Sequence, residues 1–206
     1  MKIIDQYWEW EQKPENVLKT IEKAGRTCYK SEDKITEDSA RKFVQMIVNN
    51  GHHSVLEHVI ASIRLITNRG VTHELVRHRL ASYSQESTRF IKHNDIHFIR
   101  PVWIEKKELL KEAAKMQSDI VIWINHMQEC EKNYMHLIDL GWRPEQARGV
   151  LPIDLKTEIV VTANVREWRH MFNMRASIKA HPQIRALFKD ILVAFKQEIP
   201  IIFDNI

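Results

Sequence analysis

Glycine is scarce in this chain: five residues in 206, with neither a GxGxxG nor a GxxxxGKS/T pattern among them. A Rossmann dinucleotide fold and a P-loop both depend on glycines that let the backbone approach phosphate, so neither is supported. Any nucleotide bound here must be gripped by side chains. Cysteine is scarcer still. Cys28 and Cys130 alone make neither a disulfide framework nor a cysteine-rich metal site. Long apolar runs are missing too: none approaches membrane-spanning length, and no cationic segment followed by an apolar run opens the chain. A soluble, cytoplasmic protein with no membrane partner is expected. Charge has no dominant sign, with 31 Lys and Arg against 27 Asp and Glu, net +4. That mild excess fits small anionic ligands as readily as nucleic acid.

What the chain does have is 44% hydrophobic residues, enough for a sizeable core in one compact domain or two tightly merged subdomains. Lys2 to Trp10 mixes β-branched and aromatic residues and predicts a short strand. Helices are predicted from Pro14 to Ala24 and from Thr36, as cap, to Asn49. Val59 to Thr67 alternates, with Val59, Ala61, Ile63 and Leu65 on one side of a strand. From Glu105 the spacing changes: Leu109, Ala113, Met116, Ile120, Trp123, Met127, Cys130, Tyr134 and Leu137 form a heptad-like seam on one long helix. Such a seam packs on another helix, within the chain or across a subunit interface, and it makes Cys130 a small buried apolar residue. Pro144 starts a short helix to Gly149. Thr157 to Ala163 reads as a strand, and helices follow over Val165–Lys179 and Pro182–Glu198. No repeat or linker appears. The expected fold is α+β (α/β-like): a mixed central sheet flanked by helices, one of them long, in a single domain over residues 1–206.

Three segments concentrate polar chemistry. The first runs from Arg77 to Arg89, after an apparent helix turn at Val71 to Val76. Arg77, His78 and Arg79 could simply complement the negative end of that helix. That leaves Ser82, Ser84, Gln85, Ser87, Thr88 and Arg89, many donors with few negative charges, which suit a phosphate and a hydrogen-bonding heterocycle. The second runs from Asn164 to Arg175. Helical spacing lines up Arg166, His170, Asn173 and Ser177, with Trp168, Met171, Phe172, Met174 and Ile178 opposite. Arg175 falls near the middle of the apolar side, where a guanidinium needs an anion or a route to water. An internal salt bridge and a bound anionic ligand both answer that need. The third segment is Gly51 to His58. Its three histidines and Glu57 invite a metal reading, yet they match no zinc signature, and structural histidines are the simpler reading. Arg148, at the end of the short Pro144 helix, reads on its own as a helix-terminal cap.

Together these segments resemble the flavin-dependent thymidylate synthases. That family's signature is Arg-His-Arg, seven residues, then Ser; here Arg77-His78-Arg79 is followed at that distance by Ser87. Gly51-His52 to Glu57-His58 resembles the family's early flavin-contacting segment. Glu145 to Pro152 resembles its xxARxxLP helix, and Asn164-Val165-Arg166 through Met174-Arg175 its C-terminal signature. The resemblance covers about residues 24 to 180. It implies FAD contacts for Ser54, Glu57, Arg77, His78, Arg79, Gln85, Asn164, Arg166 and His170. It implies deoxyuridylate contacts for Glu74, Arg77, Gln85, Glu86, Ser87, Thr88, Arg89, Arg148 and Arg175. Some members carry Asn where His170 stands and Glu where Gln85 stands. The resemblance further implies a homotetramer with sites shared between subunits, methylenetetrahydrofolate as one-carbon donor, and NADPH as reductant of the flavin. Arg175 takes the implied catalytic role of favouring the ionised uracil ring, and no metal is implied.

Two other readings remain at this point. A nucleic-acid-binding module would want a continuous basic face with exposed aromatics, but the six tryptophans are scattered. A metal-dependent hydrolase would draw on His52, His53, His58 and His73.

Overall fold

The computed structural model describes residues 1–92, 95–107 and 118–206. Two compact units account for the chain. The first comprises residues 1–7, 65–76 and 84–159; the second comprises 8–64, 77–83 and 160–206. The fold is α+β as expected, but with two sheets where one was predicted. β1 (Lys2–Ile4) pairs in parallel with β5 (His97–Ile99). β2 (Tyr7–Gln12), β3 (Ile60–Asn68), β6 (Lys156–Asn164) and β4 (Ala81–Gln85) form the other sheet, in the order β2-β3-β6-β4. The strand expected over Lys2 to Trp10 is thus two strands in different sheets. Their partners lie far along the chain, so local propensity could not divide them.

In the first unit the long helix is α4 (Asp119–Asp139), capped by Ser118, whose hydroxyl accepts from Val121 N at 3.3 Å. Of the predicted seam, Ile120, Met127, Cys130 and Tyr134 are buried along it and Trp123 and Leu137 partly so, but this helix starts at Asp119, behind an extended Ser118, and not near Glu105. Leu109, Ala113 and Met116 lie outside the described residues. Much of the seam's cover comes from Ile96 and Phe98 around β5, from Leu155, and from Ala147 of the short α5 (Pro144–Ala147). Among the described residues no second long helix contributes to that cluster. Trp123 reaches out of the seam to donate its Nε1–H to Asp154 at 2.9 Å. Helix α3 (Arg69–Leu75) starts at Asn68, whose side chain accepts from Val71 N and donates to Asp154 at 2.8 Å. One buried amide therefore both caps a helix and ties down a loop.

In the second unit α1 (Val17–Tyr29) packs on α2 (Ser39–Asn49). Both begin later than Pro14 and Thr36 suggested: Asn16 and Asp38 stand at the caps, and Thr36 N donates instead to the Ser39 hydroxyl at 2.9 Å. Gly25 permits the close approach, because a Cβ there would sit 2.6 Å from the Phe43 ring. Helices α6 (Val165–Arg175) and α7 (Pro182–Glu198) enclose an aromatic core of Trp168, Phe172, Phe188, Phe195 and Phe203. Ring centroids 5.0–5.9 Å apart in mostly tilted and edge-on pairs give that core its favoured aromatic geometry. β3, whose residues 60–64 belong to this unit and 65–68 to the first, buries Ala61, Ile63 and Leu65 as predicted, and Ser62 and Ile66 on its other side as well. It lies between β2 and β6, and its second face is buried at Ser62 and Ile66 but open at Ile60 and Arg64, a mixture that alternation alone does not reveal. Among the described residues no helix is long and apolar enough to cross a membrane.

Candidate active site

β6 runs directly into α6. Asn164 ends the strand in extended backbone and its side-chain oxygen accepts from Glu167 N at 2.8 Å, so the turn is locked by an ordinary N-cap. The predicted stripe is present, with Arg166, His170 and Asn173 exposed. The opposite side differs from expectation. Trp168, Met171 and Phe172 are buried, but Met174 and Ile178 are exposed, and the helix stops at Arg175 rather than Lys179. Arg175 is accordingly half-buried at the helix's end and not enclosed by the core. It lines a cavity of about 410 Å³ with Arg77, His78, Arg79, Leu80, Glu167, His170 and Met174, all in the second unit.

A linear hydrogen-bond relay organises this cavity. Arg175 Nε–H donates to His78 Nε2 at 3.0 Å, and His78 Nδ1 lies 3.3 Å from a carboxylate oxygen of Glu167. A guanidinium is always a donor, so Nε2 must accept, and the imidazole proton must sit on Nδ1, facing Glu167. Burial, then the charges of Arg175 and His170, pull the His78 pKa down to about 4. The ring is neutral at pH 7. Glu167 is buried and its carboxyl is pushed above the usual range by that burial, against the opposing charge of His170. Tyr83 donates its hydroxyl to the His78 carbonyl at 2.8 Å, and burial followed by Glu167 pushes its own pKa up to about 12.

Sequence reasoning missed Glu167, along with the buried Arg169, which reaches Asn205 at 3.0 Å and whose pKa burial lowers. A signal for Glu167 was present. Positions 167, 168, 171, 172 and 175 follow one helical stripe, so an acid and a base bracket Trp168, Met171 and Phe172 on the buried side.

His78, Glu167 and His170 place ligand atoms within 4.8 Å of one another. The relay opposes a metal there, since the proton on His78 Nδ1 points at Glu167 and Arg175 occupies Nε2. His52, His53 and His58 do not converge into a metal-binding group among the described residues. They line the short 3₁₀ segment His53–His58 and its cap, with His53 held below its usual pKa by burial and then by Arg169. Glu57 instead accepts from Arg166 at 2.6 Å, both half-exposed, while Ser54 is exposed beside them. A larger cavity of about 670 Å³ lies along α1 and α2; His52 lines it, but none of the predicted contact residues does.

The first unit gathers the remaining predicted residues. Gln85 donates both amide hydrogens, to Thr72 Oγ1 at 3.0 Å and Thr157 Oγ1 at 3.1 Å. Glu86 meets Lys156 at 3.3 Å, and its carbonyl accepts from Arg69 at 3.0 Å. Ser87 Oγ accepts from the backbone of Arg89 and Phe90, pinning the loop. Arg148 is not consumed in capping its own short helix: Nη1 donates to the buried Thr88 hydroxyl at 3.3 Å. Arg89 pairs with Glu145 at 3.0 Å, and Glu74 is half-buried on α3. Arg69, absent from the predicted set, is held below the usual guanidinium range by burial, with the charge of Arg148 acting the same way against Glu86. Two guanidiniums that repel each other suit an anion.

The family model described as thymidylate synthase complementing protein matches residues 11–201 and so runs through both units. A flavin-dependent thymidylate synthase of Geobacter sulfurreducens is 36% identical over 192 residues, covering 87% of this chain and 78% of that protein. One from Mycobacterium avium is 35% identical over 192 residues, covering 89% and 77%. Among solved structures, the UMP/dUMP methylase PolB of Streptomyces cacaoi, bound with 5-Br dUMP, aligns at a TM-score of 0.83 over 99% of this chain and 96% of that one. At 21% identity that likeness establishes the shared fold.

Proposed function

The chain belongs to the thymidylate synthase complementing protein family, that of the flavin-dependent thymidylate synthases, and we infer from this that it methylates deoxyuridylate to thymidylate. Methylenetetrahydrofolate is the one-carbon donor, NADPH the reductant and FAD the resident cofactor. The observation that carries the reading is the cavity where Arg77, Arg79 and Arg175 converge with a neutral His78. Its one lining carboxylate, Glu167, is already engaged by His78. A site so cationic fits an anionic cofactor such as FAD, held by side chains because glycine-rich backbone is lacking.

Reduced FAD, when bound, supplies the hydride. The residues do the rest. Ser54, Glu57, Arg77, His78, Arg79, Gln85, Asn164, Arg166 and His170 hold the cofactor in the roles the resemblance gives them. Glu74, Arg77, Gln85, Glu86, Ser87, Thr88, Arg89, Arg148 and Arg175 hold the nucleotide. Arg175 offers a permanent positive charge to the uracil as it loses its N3 proton, and a charge already oriented by His78 needs little reorganisation to do so. Neither thiol is a nucleophile. Cys130 is buried, and burial then Glu129 raise its pKa, while Cys28 is exposed at the end of α1. We place this reaction in the cytoplasm, in a homotetramer of one domain per chain whose sites draw on more than one subunit.

The test is direct. Purified protein mixed with FAD and desalted should keep a flavin absorption band, then convert deoxyuridylate only when methylenetetrahydrofolate and NADPH are both supplied. Light scattering should give four chains. Loss of the flavin band, with no fluorescence quenching on titration, defeats the reading.

A further inference from the structure

We propose that Glu167 is a positioning residue which, through His78, sets the orientation of Arg175. The proposal rests on the functional reading of Arg175 given above and deepens it. Glu167 and Arg175 are the first-turn and last residues of α6, and a straight helix cannot bring two such side chains together. His78, from a segment 89 residues before Glu167 and 97 before Arg175, spans the gap with one ring nitrogen for each.

The chemistry of imidazole makes the two contacts interdependent. In the neutral ring one nitrogen donates and the other accepts. An acceptor at Nδ1 therefore selects the tautomer whose Nε2 can receive the Arg175 proton. Remove that acceptor and the opposite tautomer is free to form, with Nε2–H facing the Nε–H of Arg175. Two donors then oppose each other and the guanidinium must turn away. The ring has no room to swing away, because it is buried and packs edge-on against the His170 ring.

A purely space-filling role for Glu167 is a poor match. A buried carboxylate is costly, and burial raises its pKa here. An apolar residue of similar size would fill the same volume on a helix face that already carries Trp168, Met171 and Phe172. What an apolar residue cannot do is accept the Nδ1 proton. Catalytic serine hydrolases offer the general precedent, in which a buried carboxylate keeps a histidine in one tautomer and losing that tautomer is far more damaging than losing the charge's packing.

The experiment uses the FAD-loaded enzyme and two variants. Glu167→Met is close in shape and accepts nothing at Nδ1; Glu167→Gln retains an accepting carbonyl oxygen. In Glu167→Met, single-turnover methyl transfer measured at saturating FAD should fall by about ten- to a hundredfold, the loss expected for a misaimed group. Glu167→Gln should recover most of that loss. Nitrogen-15 NMR of the imidazoles, with His78 assigned by its disappearance in His78→Gln, should show Nδ1 protonated in the wild type and in Glu167→Gln, and Nε2 protonated in Glu167→Met. An unchanged transfer rate in folded Glu167→Met overturns the proposal. Should that variant fail to fold, the wild-type spectrum still decides, because an Nε2-protonated His78 there overturns it equally. Failure of the functional reading looks different: wild-type enzyme makes no thymidylate, yet Glu167→Met still switches the tautomer.

Discussion

Acid should strip stability from this protein through His78 in a way that can be calculated. The unperturbed imidazole titrates at 6.5 and the folded one at about 4, with burial the largest cause, then Arg175 and His170. Between those values the unfolded chain binds the proton and the native chain does not, so stability falls as pH falls through the window and is intact above it. At 1.36 kcal/mol for each step of ten in affinity, the full span removes about 3 kcal/mol, and the interval from pH 7 to pH 4.5 removes about 2 kcal/mol. Glu167, whose carboxyl is raised by burial, acts with the opposite sign, favouring the native state on protonation. His53, also lowered by burial, has the same sign as His78. The perturbation that isolates His78 is therefore His78→Asn, which can still donate to Glu167 but does not titrate. Urea unfolding of both proteins at pH 7 and pH 4.5 gives four free energies. The wild type should lose about 2 kcal/mol more than the variant across that interval, because the variant keeps a donor to Glu167 and loses only the imidazole's own titration. Parallel losses, within about 0.5 kcal/mol of each other, would refute the reasoning and mean that His78 is not held neutral by its surroundings.

Three further outcomes are expected. Arg175→Ala should retain FAD but lose methyl transfer by about a hundredfold, near 3 kcal/mol of barrier, and Arg175→Lys should recover little because it lacks the planar fork; a normal transfer rate per folded molecule would return Arg175 to a structural role. Gly25→Ala puts a methyl 2.6–2.8 Å from Phe43 and should cost about 1–3 kcal/mol by prising α1 from α2, read as a lower Tm in calorimetry. The double variant Cys28→Ser, Cys130→Ser should still convert deoxyuridylate, with a stability loss of about 1 kcal/mol from the hydroxyl placed in the Cys130 site; complete loss of turnover in folded, flavin-bound protein would reveal thiol chemistry.

Helix α7 runs over the predicted residues, Pro182 to Glu198, and β6 extends the predicted strand by one residue at each end. Those elements were legible because their signals are local: a proline in the first turn and a β-branched run. The Ile120 to Tyr134 seam was equally plain, since periodicity reports which face is apolar whatever covers it. Four segments in order, Gly51 to His58, Arg77 to Ser87, Glu145 to Pro152 and Asn164 to Arg175, together identified the family. Sequence could not say what Arg175 faces. Its helical stripe pointed to the apolar side, yet α6 ends at that residue and opens it to a cavity. Nor could it pair Glu167 and Arg175 with one imidazole nearly a hundred residues away, or spend the Gln85 amide on Thr72 and Thr157. Periodicity ranks faces by burial along one element. Which donor meets which acceptor depends on contacts between distant segments, and only the tertiary structure sets those.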